Sequence, residues 1–172
     1  LIGSAADGRV EASSAWPVGT EYRVTYAVVD PTPKELNVAG TDYPGDIVRA
    51  DLELSLLDDV RFPAFGSPGR ETIVQNLFDY EFYDPRVRDW RKAYANARAV
   101  IARAGARTPY EAVVALEAWF QGGIYDEKAD YSSAANGPLP AFLLSKDRRG
   151  YCQMDAGAMA VLLRMLGIPA RV

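Results

Sequence analysis

The sequence predicts an α+β fold, with an antiparallel β-rich N-terminal part over residues 1–84 followed by a helical part over residues 85–172. Three observations predict it. Apolar and polar residues alternate in segments of roughly the first 65 positions, the period of a half-buried strand. After Asp84-Pro85 the apolar spacing changes to three and four residues, which lines one face of a helix. The 172 positions are 49 % hydrophobic and 24 % charged, a balance that excludes disorder and collagen-like structure.

In chain order, Thr20 to Val29 alternates, with Tyr22, Val24, Tyr26 and Val28 on one face, until Pro31-Thr32-Pro33 breaks it. Val48, Ala50, Leu52, Leu54 and Leu56 form a second alternating set, with Arg49, Asp51, Glu53 and Ser55 opposite. Phe62-Pro63 and Gly66-Ser67-Pro68-Gly69 read as turns. The β-branched and aromatic content of Thr72 to Tyr83 leans towards a strand. Trp90, Tyr94, Ala97, Ile101 and Ala104 then share a helical face that Gly105 ends. The next helix opens on Thr108-Pro109-Tyr110-Glu111, a Thr cap with Pro at the first position and Glu three residues on. Its expected core face is Val113, Leu116 and Phe120, and Gly122-Gly123 stops it. Ile124 to Pro138 is a loop long enough to suggest a function, and Pro140 to Ser145 a short helix. The last helix runs from about Tyr151 to Leu166, with Cys152, Ala156, Met159, Leu163 and Leu166 on one face. Gly167, Ile168 and Pro169 supply its stop.

Composition removes several functions. The net charge is −4 and no basic block occurs, which argues against a nucleic-acid partner. The longest apolar run, Ala156 to Leu163, is far short of the ~20 residues of a membrane span. There is no histidine and one cysteine, so the chain offers no zinc set, no imidazole base and no internal disulfide. No Gly-rich phosphate loop of known spacing is present, and no cofactor is expected. The chain opens at Leu1 without a signal-peptide pattern and stops at Val172 just after an apolar segment, from which an excised piece of a longer protein is expected.

Cys152 lies in the first turn of its helix, directly after Gly150-Tyr151. Open backbone N–H groups and the positive dipole end favour a thiolate there, and they can stabilise an oxyanion when it attacks a carbonyl. An isolated cysteine on an apolar helix face is more commonly a small buried hydrophobe, and on position alone that reading is the stronger.

The stretch Arg149-Gly150-Tyr151-Cys152-Gln153, with Ala158-Met159-Ala160 and the exit Leu166-Gly167-Ile168-Pro169-Ala170-Arg171-Val172, resembles the nucleophile helix of the bacterial transglutaminase-like superfamily. Tyr110-Glu111-Ala112, Ile124-Tyr125-Asp126 and Pro140-Ala141-Phe142-Leu143-Leu144 are more loosely similar to that family's lead-in, so the resemblance spans about Ala106 to Val172. It implies the helical first half of a transglutaminase- or papain-like core, with Cys152 as the nucleophile of a Cys–His–Asp triad. The thiolate attacks a glutamine or peptide amide, ammonia or an amine leaves, and an amine or water resolves the thioester. The His and Asp are expected on strands beyond Val172, so this fragment alone is expected to be inactive.

The resemblance also implies lesser roles. Tyr125 stands where related enzymes carry an aromatic oxyanion donor, although a loop or core aromatic is the commoner role among ten tyrosines. Gln153 matches a polar position beside the nucleophile, a helix-start residue first and a substrate contact second. Asp155 departs from the family, which carries an aromatic or other apolar residue there. It is expected to turn to solvent in the first turn; facing the sulfur, it would oppose a thiolate. Trp90 and Trp119 read as core, and Lys146-Asp147-Arg148-Arg149 as a solvated turn. The expected partner is a protein or peptide substrate. Apolar area left by absent strands is an expected site of homodimer contacts. Val18 to Val24 is similar to the β-rich region preceding this domain in multi-spanning bacterial membrane proteins, which implies an extracytoplasmic location. Two rival readings are a non-catalytic scaffold or interaction domain of the same fold and a hydrolytic peptidase or amidase.

Overall fold

The computed structural model describes residues 2–4, 10–12, 15, 17–21, 23, 28–55, 59–80 and 85–172. They form a mixed fold of helices with a few short strands, in two compact units, Leu1–Asp30 and Pro31–Val172. In the first unit β1 (Ile2–Ser4) pairs antiparallel with β2 (Val10–Ala12), Gly3 opposite Glu11. The strand expected over Thr20 to Val29 is not found at Thr20, Glu21, Arg23, Val28 or Val29, while Tyr22, Val24 and Tyr26 lie outside the described residues.

The second unit begins with α1 (Pro33–Val38), so Thr32-Pro33 starts a helix as well as breaking the run before it. The Thr32 side chain accepts from the Glu35 N–H, and Glu35 in turn accepts from the Thr32 N–H, satisfying donors that a helix start leaves open. The strand expected over Val48 to Leu56 is instead α2 (Gly45–Asp51) followed by β3 (Glu53–Ser55), which pairs antiparallel with β4 (Asp59–Arg61). The half-buried Ile47, Val48 and Asp51 and the buried Leu52 have helical spacing, and it overrides the alternation. The strand leaning of Thr72 to Tyr83 is also overturned as far as Tyr80, Glu81 to Tyr83 lying outside the described residues: α3 spans Arg70–Tyr80. Arg70, Val74 and Phe78 are its buried residues, one turn apart, and packing on that face decides against the local β propensity. The expected β-rich N-terminal part thus reduces to two short hairpins among the described residues.

The helical part follows its periodicity closely. α4 (Pro85–Arg103) buries Val87, Trp90, Ala93, Tyr94, Ala97, Val100 and Ile101, leaving the expected Ala104 outside the helix and exposed. α5 (Pro109–Gln121) has the capping box anticipated at Thr108 and Glu111 and buries Ala112, Leu116 and Phe120. Val113 is only half-buried. β5 (Ile124–Tyr125), α6 (Pro138–Leu144), β6 (Arg149–Gly150) and α7 (Cys152–Met165) complete the chain.

The core lies where α4 meets α5, α6 and α7, around Leu116, Phe142, Leu162 and Met165. Each such fully buried side chain contributes about 1.5–3 kcal/mol. Of the expected face, Leu163 and Leu166 are buried and Met159 half-buried, but Cys152 and Ala156 are exposed, and α7 buries Met154, Ala158, Leu162, Leu163 and Met165. Neighbouring helices select this face from a helix that is apolar nearly all round.

α7 ends as its sequence demands. Gly167, at φ +78°, donates its N–H to the Arg164 carbonyl, and the Ile168 N–H reaches the Leu163 carbonyl, both at 2.9 Å. Arg70, only 5 % exposed, ties the pieces together. Its Nε donates to the Pro63 carbonyl at 3.1 Å, one Nη to the Tyr94 hydroxyl at 2.6 Å and the other to the Met165 carbonyl. No helix among the described residues is long and apolar enough to cross a membrane.

Candidate active site at the start of α7

The approach to Cys152 is fixed from below. Gly150 is buried, and a Cβ there would sit 2.7 Å from the Phe142 ring and 3.4 Å from the Met154 sulfur. Only glycine lets β6 lie this close to α6 before the chain turns into α7. β6 pairs in parallel with β5, with Ile124 opposite Arg149 and Tyr125 opposite Gly150. The Asp126 N–H donates to the Gly150 carbonyl at 2.6 Å, and the Tyr131 hydroxyl to the Arg149 carbonyl at 2.9 Å. The segment beginning at Ile124, expected as a loop, thus opens as a strand that carries Tyr125 to the edge of the α7 start.

Tyr151 caps α7 with extended backbone and no side-chain hydrogen bond. Its carbonyl accepts the N–H groups of Met154 at 2.8 Å and Asp155 at 3.1 Å. The N–H groups of Cys152 and Gln153 have no acceptor among the described residues. They are the open donors that an oxyanion would use. Cys152 itself is exposed, which removes the buried-hydrophobe reading. It lines an open cleft of about 380 Å³ together with Asp155, Ala156 and Met159 of α7 and Glu117, Phe120 and Gln121 of α5.

Tyr125 is 63 % exposed, so it is not a core aromatic. Its hydroxyl donates to Glu127 Oε1 at 3.1 Å. That hydrogen bond and then the Glu127 charge hold the phenol above its ordinary range, with a smaller part from desolvation. Gln153 is exposed beside Cys152 and does not line the cleft.

Asp155 does not turn to solvent. It is half-buried in the cleft wall, where burial pushes its carboxyl above the ordinary range and the Arg148 charge pulls it part of the way back. Arg148 is the feature that sequence reasoning missed. Lys146, Asp147 and Arg149 of the expected solvated turn are exposed, but Arg148 folds its guanidinium over the Trp119 ring, 4.0 Å from the centroid, and donates to the Trp119 carbonyl at 2.7 Å. Its backbone is left-handed, at φ +40°, and its Nε is buried without a hydrogen-bond partner. The only trace in the sequence is Gly122-Gly123: a Cβ at Gly123 would meet the Arg148 carbonyl at 2.9 Å. Trp119, expected as core, is half-buried and stacks edge-on against Phe120.

The arrangement sets a thiol beside two open amide donors, groups that suit addition of sulfur to a carbonyl, while the Tyr125 hydroxyl is engaged with Glu127 and Tyr125 does not line the cleft. No group of residues fit to hold a metal ion occurs among the described residues. Comparison with family models matches residues 96–172 to the transglutaminase-like superfamily. Comparison with curated proteins and with solved structures gives no match.

Proposed function

Since residues 96–172 are a transglutaminase-like segment, we propose that they contribute the nucleophile half of an amide-processing cysteine enzyme, with Cys152 forming the thioester. Sγ adds to the carbonyl carbon of a glutamine side chain or peptide-like amide. The C–N bond then breaks, and ammonia or an amine leaves with a proton. The chain has no histidine, so the imidazole that exchanges this proton, with its Asp partner, comes from outside these 172 residues. The Cys152 and Gln153 amides hold the oxyanion during addition, and the Tyr125 hydroxyl joins them on leaving Glu127. The observation that carries this reading is an exposed Cys152 at an uncapped helix start, with two open amide donors in the same turn.

The test uses an activated ester, which needs no imidazole to protonate its leaving group. Native chain is incubated with p-nitrophenyl acetate and followed by intact mass and peptide mapping. One acetyl group on Cys152, released by hydroxylamine and slower to form in Tyr125→Phe, is the expected result. Acetylation confined to lysines, with Cys152 unmodified in the native chain, would overturn the reading.

One observation favours a second reading, that of an interaction domain retaining the shape without the chemistry. Asp155 shares the cleft with Cys152, where the family carries an apolar residue, and a carboxylate there works against a second negative charge on sulfur. If neither the native chain nor Asp155→Asn acylates at Cys152, this second reading stands.

A further inference from the structure

At the opposite end of α7 lies a cavity of about 400 Å³ between the start of α3, the last turns of α4 and Leu166. At 1.5 Å per residue the helix puts it on the order of 20 Å from Cys152, so it is a separate site. Its wall is mostly apolar, with Phe65, Ile101 and Leu166 among the lining residues. Its polar lining offers the donors of Arg70, Arg98, Ser67 and Thr72 and one carboxylate, Glu71. Arg98 carries hydrogen bonds on one Nη only, to Glu71 and to the Tyr94 hydroxyl, and its Nε and other Nη have no partner among the described residues. Ser67 Oγ is buried and makes no hydrogen bond. The α3 start adds the N–H groups of Glu71 and Thr72, which have no acceptor among the described residues.

The charges there do not cancel. Glu71 is the one carboxylate bonded to both guanidinium groups, Arg70 and Arg98, and it is itself 61 % exposed. Arg70 has already spent its donors on carbonyls and a hydroxyl. Burial, and then the Arg70 charge, hold Arg98 below its ordinary range, while Glu71 covers one side of the guanidinium.

We propose that this cavity binds a small carboxylate with an apolar body. Its anionic end lies among the Arg98 guanidinium, the Ser67 hydroxyl and the Glu71 and Thr72 amides, and its body against Phe65, Ile101 and Leu166. A single uncovered positive charge suits a monoanion, and the apolar walls suit a carbon skeleton over a bare inorganic ion.

The test is titration of the ¹⁵N-labelled chain with 3-phenylpropionate at constant ionic strength, beside the neutral 3-phenylpropan-1-ol and acetate. The acid is expected to shift the Glu71 and Thr72 amides, with affinity falling about ten-fold or more in Arg98→Gln and by a smaller factor in Ser67→Ala. The alcohol and acetate are each expected to bind much more weakly than the acid. Equal binding of acid and alcohol would remove the anion site, and equal binding of acid and acetate would remove the apolar one. No shift at Glu71 and Thr72, or unchanged affinity in a folded Arg98→Gln, would overturn the proposal. None of these outcomes depends on Cys152 chemistry.

Discussion

Two glycines in the same backbone conformation separate the cost of a left-handed residue from the cost of lost space. Gly105 ends α4 at φ +67° and Gly167 ends α7 at φ +78°, each followed by a residue whose N–H reaches back to close the helix. A Cβ at Gly105 would meet nothing within 4 Å. At Gly167 it would lie 2.0 Å from the Pro63 carbonyl oxygen, 2.7 Å from the Phe65 nitrogen and 2.8 Å from the Ala64 carbonyl carbon. All three are backbone atoms and cannot swing aside. Alanine at either position costs about 1 kcal/mol for the left-handed conformation. At Gly167 it must also push the 63–65 segment away. That breaks the bond from the Phe65 N–H to the Gly167 carbonyl, 3.1 Å, and disturbs the bond from Arg70 to Pro63. Those losses add about 2 kcal/mol or more. Gly105→Ala is therefore expected to lose about 1 kcal/mol, and Gly167→Ala about 3 kcal/mol or more. Urea unfolding followed by near-ultraviolet circular dichroism measures both. If the two variants lose the same stability within error, close approach at Gly167 is not what requires glycine.

Three other perturbations address the site and its supports. Asp155→Asn is expected to speed iodoacetamide alkylation of Cys152 about five-fold near neutral pH, the order of one screened charge interaction. The gap should close as pH falls through the Asp155 titration, which burial places above the ordinary carboxylate range; parallel rates at every pH would show that Asp155 does not act on the sulfur. Arg148→Ala gives up the Trp119 carbonyl bond and the ring contact, an expected loss of about 2 kcal/mol. Arg148→Gly keeps the same losses and tolerates φ +40°, so it should be the more stable of the two by about 1 kcal/mol. A thermal melt ranking alanine above glycine would contradict the strained backbone. Glu111 is held below the usual carboxylate range by the Arg107 and Thr108 N–H groups. Its contribution to stability is full above the ordinary Glu range and is lost as pH falls through the lowered value. Melting of Glu111→Gln should lose that part of the acid dependence, and an unchanged acid profile would show that the carboxylate is not what caps α5.

The helices from α4 onward are legible in the sequence because helical period and stop signals agree. The capping box at Thr108, the Gly105 stop and the Gly167-Ile168-Pro169 exit each name a backbone position that few other residues satisfy. α2 and α3 were not legible. Their β-branched residues favour strands locally, and the decision came from burial of Leu52, Val74 and Phe78 against elements far along the chain. The face of α7 was misjudged for a related reason. Ala156 and Met159 are as apolar as Ala158 and Leu162, so composition cannot say which pair meets α4 and which lines the cleft. Cys152 and Tyr125 are singled out by motif likeness, and the structure places them exposed, at the α7 start and on β5. The turn of Asp155 into the cleft and the left-handed Arg148 over Trp119 depend on tertiary packing that no local pattern encodes.

The ladder that brings Tyr125 beside Cys152 has two residues on each strand, and Ile124 and Tyr125 remain 40 % and 63 % exposed. Such a ladder opens far more readily than the helical core beneath it unfolds. Phenol and thiol are therefore joined by an equilibrium, and the fraction of molecules in which both face one carbonyl is set by two residue pairs. An extended peptide lying along the edge of β5 that has no strand partner among the described residues would add hydrogen bonds to the closed ladder only, and so raise that fraction. Under the proposed function, a bound strand would in this way favour the closed ladder as it arrives, and a bare amide too small to pair with β5 would meet that ladder closed less often.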